Sequence, residues 1–417
     1  MLDINFIRQY PEEVKSGLKR KGVDPKLVDK FLRLDEEWRA KTAALDQLKS
    51  EQNKVSAEIG KKKSAHGMSQ AKLLKNRISE IKSEYDEIDA KRNEVLALLP
   101  NLPAPEVPTG EGEKDNKVVR EVGEKPTFDF KPKDHLELGE ALGILDFEAG
   151  AKVAGSGFYY LKNDGVLLEL ALVRYALDFL AEHGFSLWFT PDLAREKFYL
   201  GTGYSPRGPE AQTYEIKDSD LGLIATSEIS LAGIHSDETL IETDLPRFYA
   251  GYSHCFRQEA GGYGKYSKGL YRVHQFTKVE MFAFTKPEDS PEVHRMLLEM
   301  EEKLWQGLGI PYRVVEMCTG DLGAQAARKF DLEAWMPGRG DYGEITSTSN
   351  TTDYQARRLN IKYRNGDGKS VFVHTLNGTA VATSRAIVAI LENYQTKQGT
   401  IRVPKILRDY VGKLEIG

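Results

Sequence analysis

The chain has 417 residues, 40% of them hydrophobic and 29% charged, with a formal net charge of −5 at pH 7. That size and balance suit a globular protein of two or three domains, and they exclude a whole-protein field gripping nucleic acid, which must instead come from local basic surface. No apolar run approaches the roughly 20 residues of a membrane span, and the two cysteines, Cys255 and Cys318, make neither a disulfide framework nor a metal-ligand cluster. The start, Met1-Leu2-Asp3-Ile4-Asn5-Phe6, has early acids and no signal-like apolar core, so a cytoplasmic protein is expected, with no membrane partner.

Residues 1–100 are charged, poor in glycine and periodic. Phe31, Leu34, Trp38, Leu45, Leu48, Val55 and Ile59 hold a three–four spacing, with Lys41 and Gln52 in the gaps. After Ser64-Ala65-His66-Gly67 the spacing resumes at Leu74, Ile78, Ile81, Tyr85, Ile88, Val95 and Leu99, with Arg92 at the one polar step. Two narrow apolar stripes across so short a break predict a long antiparallel helical hairpin, a coiled coil over about 26–99. Helices of roughly 35 residues would reach about 50 Å. The turn region is basic: Lys61, Lys62, Lys63, Lys72, Lys75 and Arg77. Such a cluster is either a solvated face or an arm offered to a phosphate backbone.

Pro100, Pro103, Pro105, Pro108, Gly110 and Gly112 then stop the helix. They predict a linker at 101–112 between an N-terminal domain, 1–100, and a second domain, 113–417. In the second domain, strands are expected at 221–226, 247–256, 271–284, 312–318, 332–335, 343–347 and 371–376, and helices at 167–183 and 384–395. Strands in succession point to the α+β class, an antiparallel sheet flanked by helices, rather than to alternating βαβ units.

Several nucleotide and catalytic signatures fail. Gly338-Arg339-Gly340-Asp341-Tyr342-Gly343 spells G-x-G-x-x-G, but Pro337 precedes it and a Thr/Ser-rich strand follows, so no helix N-terminus meets a pyrophosphate. There is no G-x-x-x-x-G-K-[ST] loop and no G-x-S-x-G elbow. His183, His235 and His274 read as core or surface residues, and no zinc is expected.

What remains is a dispersed polar constellation: Thr226-Ser227-Glu228, Arg257-Gln258-Glu259, Val273 to Glu280, Glu344-Ile345-Thr346-Ser347, Asn377-Gly378-Thr379 and Arg385. Arg257 and Arg385 each lie in an apolar context, where a guanidinium costs desolvation unless an anion answers it. Arginine grips phosphate oxygens bidentately, so two arginines far apart in sequence suggest one polyphosphate held at both ends. Together the groups supply cations for phosphates, carboxylates for a hard cation and small polar groups for a small polar substrate.

At these motifs the chain resembles the seryl-tRNA synthetases, a class II aminoacyl-tRNA synthetase family. The resemblance runs from Met1-Leu2-Asp3-Ile4 and the hairpin through Lys133-Asp134-His135, Thr226 to Glu228, Phe256-Arg257-Gln258-Glu259-Ala260-Gly261, His274-Gln275-Phe276 and Cys318-Thr319-Gly320-Asp321. It continues through Ser349-Asn350 and Gln355-Ala356-Arg357-Arg358 to His374-Thr375-Leu376-Asn377-Gly378-Thr379. It implies the class II catalytic fold, ATP and Mg²⁺ as cofactors, and a homodimer formed through the segment around His183-Gly184-Phe185 and Thr190-Pro191. The substrates it implies are L-serine and serine tRNA, whose long variable arm the hairpin would grip. Selenocysteine tRNA is a further candidate substrate.

Carried over residue by residue, the resemblance puts Arg257, Glu259 and Arg385 in catalysis. It puts ATP on Arg257, Gln258, Glu259, Val273, Phe276, Glu344, Ile345, Thr346, Ser347 and Arg385, with Mg²⁺ on Glu344 and Ser347. Serine falls to Thr226, Ser227, Glu228, Arg257, Glu280, Asn377 and Thr379. tRNA falls to the hairpin cations and to Lys265 and Lys268. Thr346-Ser347-Thr348-Ser349 lacks the cysteine often found before the Ser-Asn pair, and Thr383-Ser384 stands where glycine or proline is frequent. The loop at Pro206-Arg207-Gly208-Pro209 has no counterpart to interpret it. Two other readings stay open: a paralogue that loads a carrier protein, disfavoured by the intact hairpin, and a non-catalytic relative, disfavoured by the two retained arginines.

Overall fold

A computed structural model describes residues 1–61, 65–204, 213–259 and 268–417. They form two compact units, Met1–Leu102 and Pro103–Gly417. The expected loop insertion at 206–209 lies outside the described residues.

In the first unit, α1 (Ile4–Gln9) is capped by the Asp3 carboxylate, and α2 (Pro11–Arg20) starts on a proline whose missing N–H has no partner to lose. Then come α3 (Lys26–Lys61) and α4 (Ala65–Leu98), the expected antiparallel hairpin. Its seam buries Phe31, Leu34, Leu45, Leu48, Val55, Val95 and Leu99. Two of the polar steps that interrupt the seam, Lys41 and Arg92, have partners. Lys41 pairs with Glu84 on the opposite helix. Arg92 is buried with its Nε 2.9 Å from Asp35 Oδ1 and its guanidinium 4.6 Å from the Trp38 ring, and Arg8 Nε reaches Asp35 Oδ2 at 2.8 Å. A buried carboxylate that must meet two guanidinium groups disfavours slippage of one helix along the other.

The second unit is built on eight strands: β1 (Lys117–Val122), β2 (Ser186–Phe189), β3 (Arg247–Phe256), β4 (Gln275–Thr285), β5 (Tyr312–Glu316), β6 (Arg328–Met336), β7 (Asp341–Asn350) and β8 (His374–Ala382). Their order is β1-β5-β6-β7-β8-β4-β3-β2, antiparallel throughout except for the parallel β2–β3 edge. Three helices, α5 (Asp164–Glu182), α6 (Ser290–Leu308) and α7 (Thr383–Asn393), cover one face. Alternation explains the packing. On β4, Val279, Met281 and Ala283 join Leu172, Leu297, Trp305 and Ile387 in the main core, while Phe282 and Phe284 turn to a second cluster on the other face. This is the α+β architecture expected.

Two expectations change in detail and a third holds. The proline-rich stretch belongs with the second unit from Pro103 onward: Ala104 N–H bonds Ala327 O, and Val107 is buried against Val315 and Leu322. The strand expected at 371–376 is two, Ser370–Phe372 and β8, which continues through Asn377 to Ala382. The G-x-G-x-x-G string is the turn between β6 and β7, with Gly340 at φ 69°.

Candidate active site

The face of the sheet opposite α5, α6 and α7 carries, at one end of its central strands, a cavity of about 270 Å³. Period-two alternation aims Phe276, Lys278 and Glu280 of β4 into it, with Asn377 and Thr379 of β8. Glu344 and Ser347 of β7 also line it, although they are three residues apart and a regular strand would send them to opposite faces. A bulge resolves this: Glu344 pairs with Glu333 and Thr346 with Leu332, leaving Ile345 as the extra residue. A second bulge, at Ala380, brings Thr379 opposite Glu280. Bulges next to a site re-aim side chains in this way.

Arg257 follows the end of β3. Its guanidinium lies 5.3 Å from the Phe276 ring, its Nε makes one long bond to Ala225 O (3.4 Å), and among the described residues it has no ion pair. The other cavity cations are answered. Arg385 Nη1 is 2.9 Å from Glu344 Oε1, Lys278 Nζ is 2.7 Å from Glu280 Oε2, Arg272 Nη1 is 2.8 Å from Glu259 Oε2, and Lys329 Nζ is 3.4 Å from Asp331 Oδ1. Glu259 adopts φ 52°, a conformation that side-chain-bearing residues seldom take. Burial pushes the Glu344 carboxyl up, but Arg385, Lys329 and Arg257 outweigh it and hold the group at about 2. Burial, with Glu344 adding to it and Lys329 opposing, raises Asp331 to about 7.

A hydrogen-bonded acid lies behind the Glu280 end. Asn377 Nδ2 donates to Glu228 Oε2 (2.8 Å), and so does the Tyr204 hydroxyl (3.1 Å), while Gln355 Nε2 donates to Oε1 (2.7 Å). Burial, then the neighbouring Glu280, pushes Glu228 up to about 7. Thr379 Oγ1 donates to Glu280 at 3.2 Å.

Arg257, Glu259, Val273, Phe276, Glu280, Glu344, Ile345, Thr346, Ser347, Asn377, Thr379 and Arg385 thus share one cavity. Thr226, Ser227, Glu228 and Gln258 do not reach its wall. Thr226 Oγ1 accepts the Glu228 N–H, Ser227 Oγ donates to Gly251 O, and Gln258 Nε2 donates to Thr213 O. Lys72, Lys75 and Arg77 are exposed on α4, and Lys268 pairs with Asp134. Lys62, Lys63, Lys265 and the side chain of Lys61 lie outside the described residues. The sequence reading missed Tyr204, Arg272, Lys278, Lys329 and Gln355. Lys278 was within reach, since it alternates with Phe276 and Glu280, whereas Gln355 and Tyr204 carry no local signal.

An antiparallel sheet of this order, with an arginine at one strand end that has no ion pair among the described residues and a second arginine from the helix after β8, defines the core of a class II aminoacyl-tRNA synthetase. Residues 213–394 match the family described as tRNA synthetase class II core domain (G, H, P, S and T), and residues 1–103 match the seryl-tRNA synthetase N-terminal domain. The chain is 53% identical over 421 aligned residues to the serine–tRNA ligase of Dictyoglomus turgidum, covering 100% of this chain and 99% of the relative. Among solved structures, it is similar to the seryl-tRNA synthetase of Pyrococcus horikoshii complexed with ATP, with TM-score 0.91 and 45% identity over 100% of this chain and 99% of that one. It is also similar to the cytoplasmic serine–tRNA ligase of Naegleria fowleri in complex with AMP, with TM-score 0.86 and 37% identity over 100% and 98%. The chain belongs to the seryl-tRNA synthetase family.

Proposed function

We propose that the cavity activates L-serine with ATP and that the chain then transfers serine to the 3′ end of serine tRNA. The observation that carries this reading is Arg257, a guanidinium facing the cavity with no ion pair among the described residues, on the same cavity as Arg385. A site holding such a cation awaits an anion. Arg257 grips the α-phosphate and Arg385 the far end of the triphosphate, which therefore bends. Phe276 offers its ring to adenine, and the Val273 backbone reads the ring edge. Glu259, braced by Arg272, sets the nucleotide's position, as do the backbone of Ile345 and Thr346 and, from behind, Gln258.

Serine lies at the other end, its ammonium toward Glu280 and its hydroxyl among Thr379 and Asn377. Glu228 orients Asn377, Thr226 accepts the Glu228 N–H, and Ser227 ties the same segment to Gly251. A pocket that hydrogen-bonds this hydroxyl rejects alanine, because buried polar groups would be left unpaired. The serine carboxylate attacks the α-phosphorus, and pyrophosphate leaves. Arg257 opposes the repulsion between the two anions and stabilises charge on the α-phosphoryl oxygens. No side-chain nucleophile takes part.

The donor set suits Mg²⁺: Glu344 is held ionised and faces the cavity beside Ser347, giving oxygen ligands of the kind a hard cation takes. When bound there, Mg²⁺ neutralises charge on the phosphates. The reading requires no zinc. It includes a homodimer, supported by β2, an edge strand whose four residues are all exposed, with Phe189 at 73%. The hairpin, with its exposed Lys72, Lys75 and Arg77, takes the long variable arm of the tRNA by shape and backbone. Lys265 and Lys268 take the acceptor end. No helix among the described residues is long and apolar enough to cross a membrane, and a cytoplasmic location completes the reading.

Serine-dependent ATP–pyrophosphate exchange tests it. The wild type should exchange, and Arg257→Ala should lose exchange by about a hundredfold to a thousandfold, the scale of deleting one charge-stabilising donor, while keeping its circular dichroism spectrum. Near-normal exchange in the variant would remove Arg257 from the phosphate site. Exchange without charging of serine tRNA would favour delivery to a carrier protein.

A further inference from the structure

Behind the cavity floor lies a carboxyl that the chemistry above does not use. Glu301, on α6, is fully buried against the opposite face of the sheet. Its Oε2 accepts a hydrogen bond from Thr346 Oγ1 at 2.8 Å, and the backbone N–H of Thr379 faces it. Its Oε1 has no hydrogen-bond partner among the described residues. Gly378 is pressed against it: a Cβ there would stand 2.9 Å from Oε1. Burial pushes the carboxyl well above its usual range, with Thr346 opposing this and Asp331 and Glu280 adding to it. An under-bonded polar group in a core is destabilising relative to an apolar one, so its presence calls for a reason.

The strand pairing supplies one. The β7–β8 ladder runs from Asn350↔Leu376 through Ser349↔Asn377 and ends at Thr348↔Gly378. Beyond that pair the bulged part of β7 is not laddered to β8, and Ser347 and Thr379 are the next residue on each strand. Glu301 sits at this fork, bonded to Thr346 on one arm and abutting Gly378 and Thr379 on the other.

We propose that Glu301 is a positioning residue for serine activation, a bracket that fixes the β7 arm bearing Ser347 against the β8 arm bearing Thr379 where the sheet's own hydrogen bonds stop. The inference rests on the adenylate-forming reading: the nucleotide end of the cavity is set by one arm and the serine end by the other, so their spacing sets the approach of carboxylate to phosphorus.

The test compares wild type, Glu301→Gln and Glu301→Met by serine-dependent ATP–pyrophosphate exchange, ATP binding by calorimetry without serine, and thermal melting. Glu301→Gln keeps an acceptor for Thr346 and should stay within about twofold of wild-type kcat, whereas Glu301→Met should lose about tenfold or more in kcat, as misplacement of reacting groups does. ATP affinity in Glu301→Met should remain near wild type. If Glu301→Met does not fold, Thr346→Val removes the bond from the other side and should lower kcat in the same way. Wild-type kcat in the folded variant would overturn the proposal, as would a loss of kcat matched by an equal loss of ATP affinity and a lower melting temperature. Absence of serine-dependent exchange in the wild type would instead sink the adenylate-forming reading itself.

Discussion

Single residues decide the site through the protonation they are held in. Glu344 stays ionised because Arg385, Lys329 and Arg257 outweigh burial, while Glu228 is pushed up to about 7 by burial and Glu280. The second has a readable consequence. Above pH 7 the Glu228 carboxylate accepts from both Asn377 and Tyr204; below it the neutral acid holds them less firmly and contributes no charge toward serine's ammonium. The apparent KM for serine should therefore rise as pH falls from 7.5 to 6, by no more than about the tenfold per pH unit that one proton allows, while the KM for ATP changes less. Glu228→Gln should flatten the profile at a high serine KM. A serine KM independent of pH in the wild type would take Glu228 out of serine binding. About half of the cavity's residues were legible as separate motifs, the arginines because guanidinium groups in apolar surroundings advertise an anion. Their registration was not. Nothing local in Glu344 to Ser347 announces that Ile345 is extruded, and only the pairing with β6 puts both ends of that stretch on one face.

Elements were legible in proportion to how far their own side chains recorded the packing. The hairpin seam could be read directly because each helix repeats one narrow stripe against one partner over 36 and 34 residues. The edge strands β1 and β2 escaped notice: their side chains are nearly all exposed, so burial imposes no alternation on the sequence. Helix α6 was overlooked although its signals are present, with Pro291 in its first turn and Gly309 at its end in a left-handed conformation. Arg92 looked like a defect in the seam and is the hairpin's electrostatic anchor, one of three arginines, with Arg8 and Arg39, around the fully buried Asp35. Replacing one member of a buried pair leaves the other charge uncompensated, a cost of about 3 kcal/mol. Asp35→Asn should accordingly speed amide hydrogen exchange in α1, α3 and α4 by up to about a hundredfold, with exchange in the sheet of the second unit unchanged. Unaltered protection in the hairpin would show that packing alone sets its register.

At the scale of the whole molecule, the residues fall into two sets with separate tasks. Every side chain placed at the cavity belongs to Pro103–Gly417, and the exposed cations Lys72, Lys75 and Arg77 belong to Met1–Leu102. On the proposed reading, activation of serine needs only the first set, whereas recognition of a tRNA needs both. The two half-reactions should therefore separate when the far part of the hairpin is removed. The Lys41–Glu84 pair places positions 40 and 85 opposite each other, so residues 40–85 can be replaced by a short Gly-Ser turn without displacing the Asp35, Arg8 and Arg92 cluster at the base. This variant should retain serine-dependent pyrophosphate exchange within about twofold, having lost no group that touches the reacting atoms. Its charging of serine tRNA should fall by about a hundredfold or more, and the remaining tRNA affinity should respond less steeply to salt, because fewer phosphate contacts release fewer counterions. Charging at the wild-type rate would mean that the basic tip is a solvated face after all, and that the tRNA is gripped by the second unit alone.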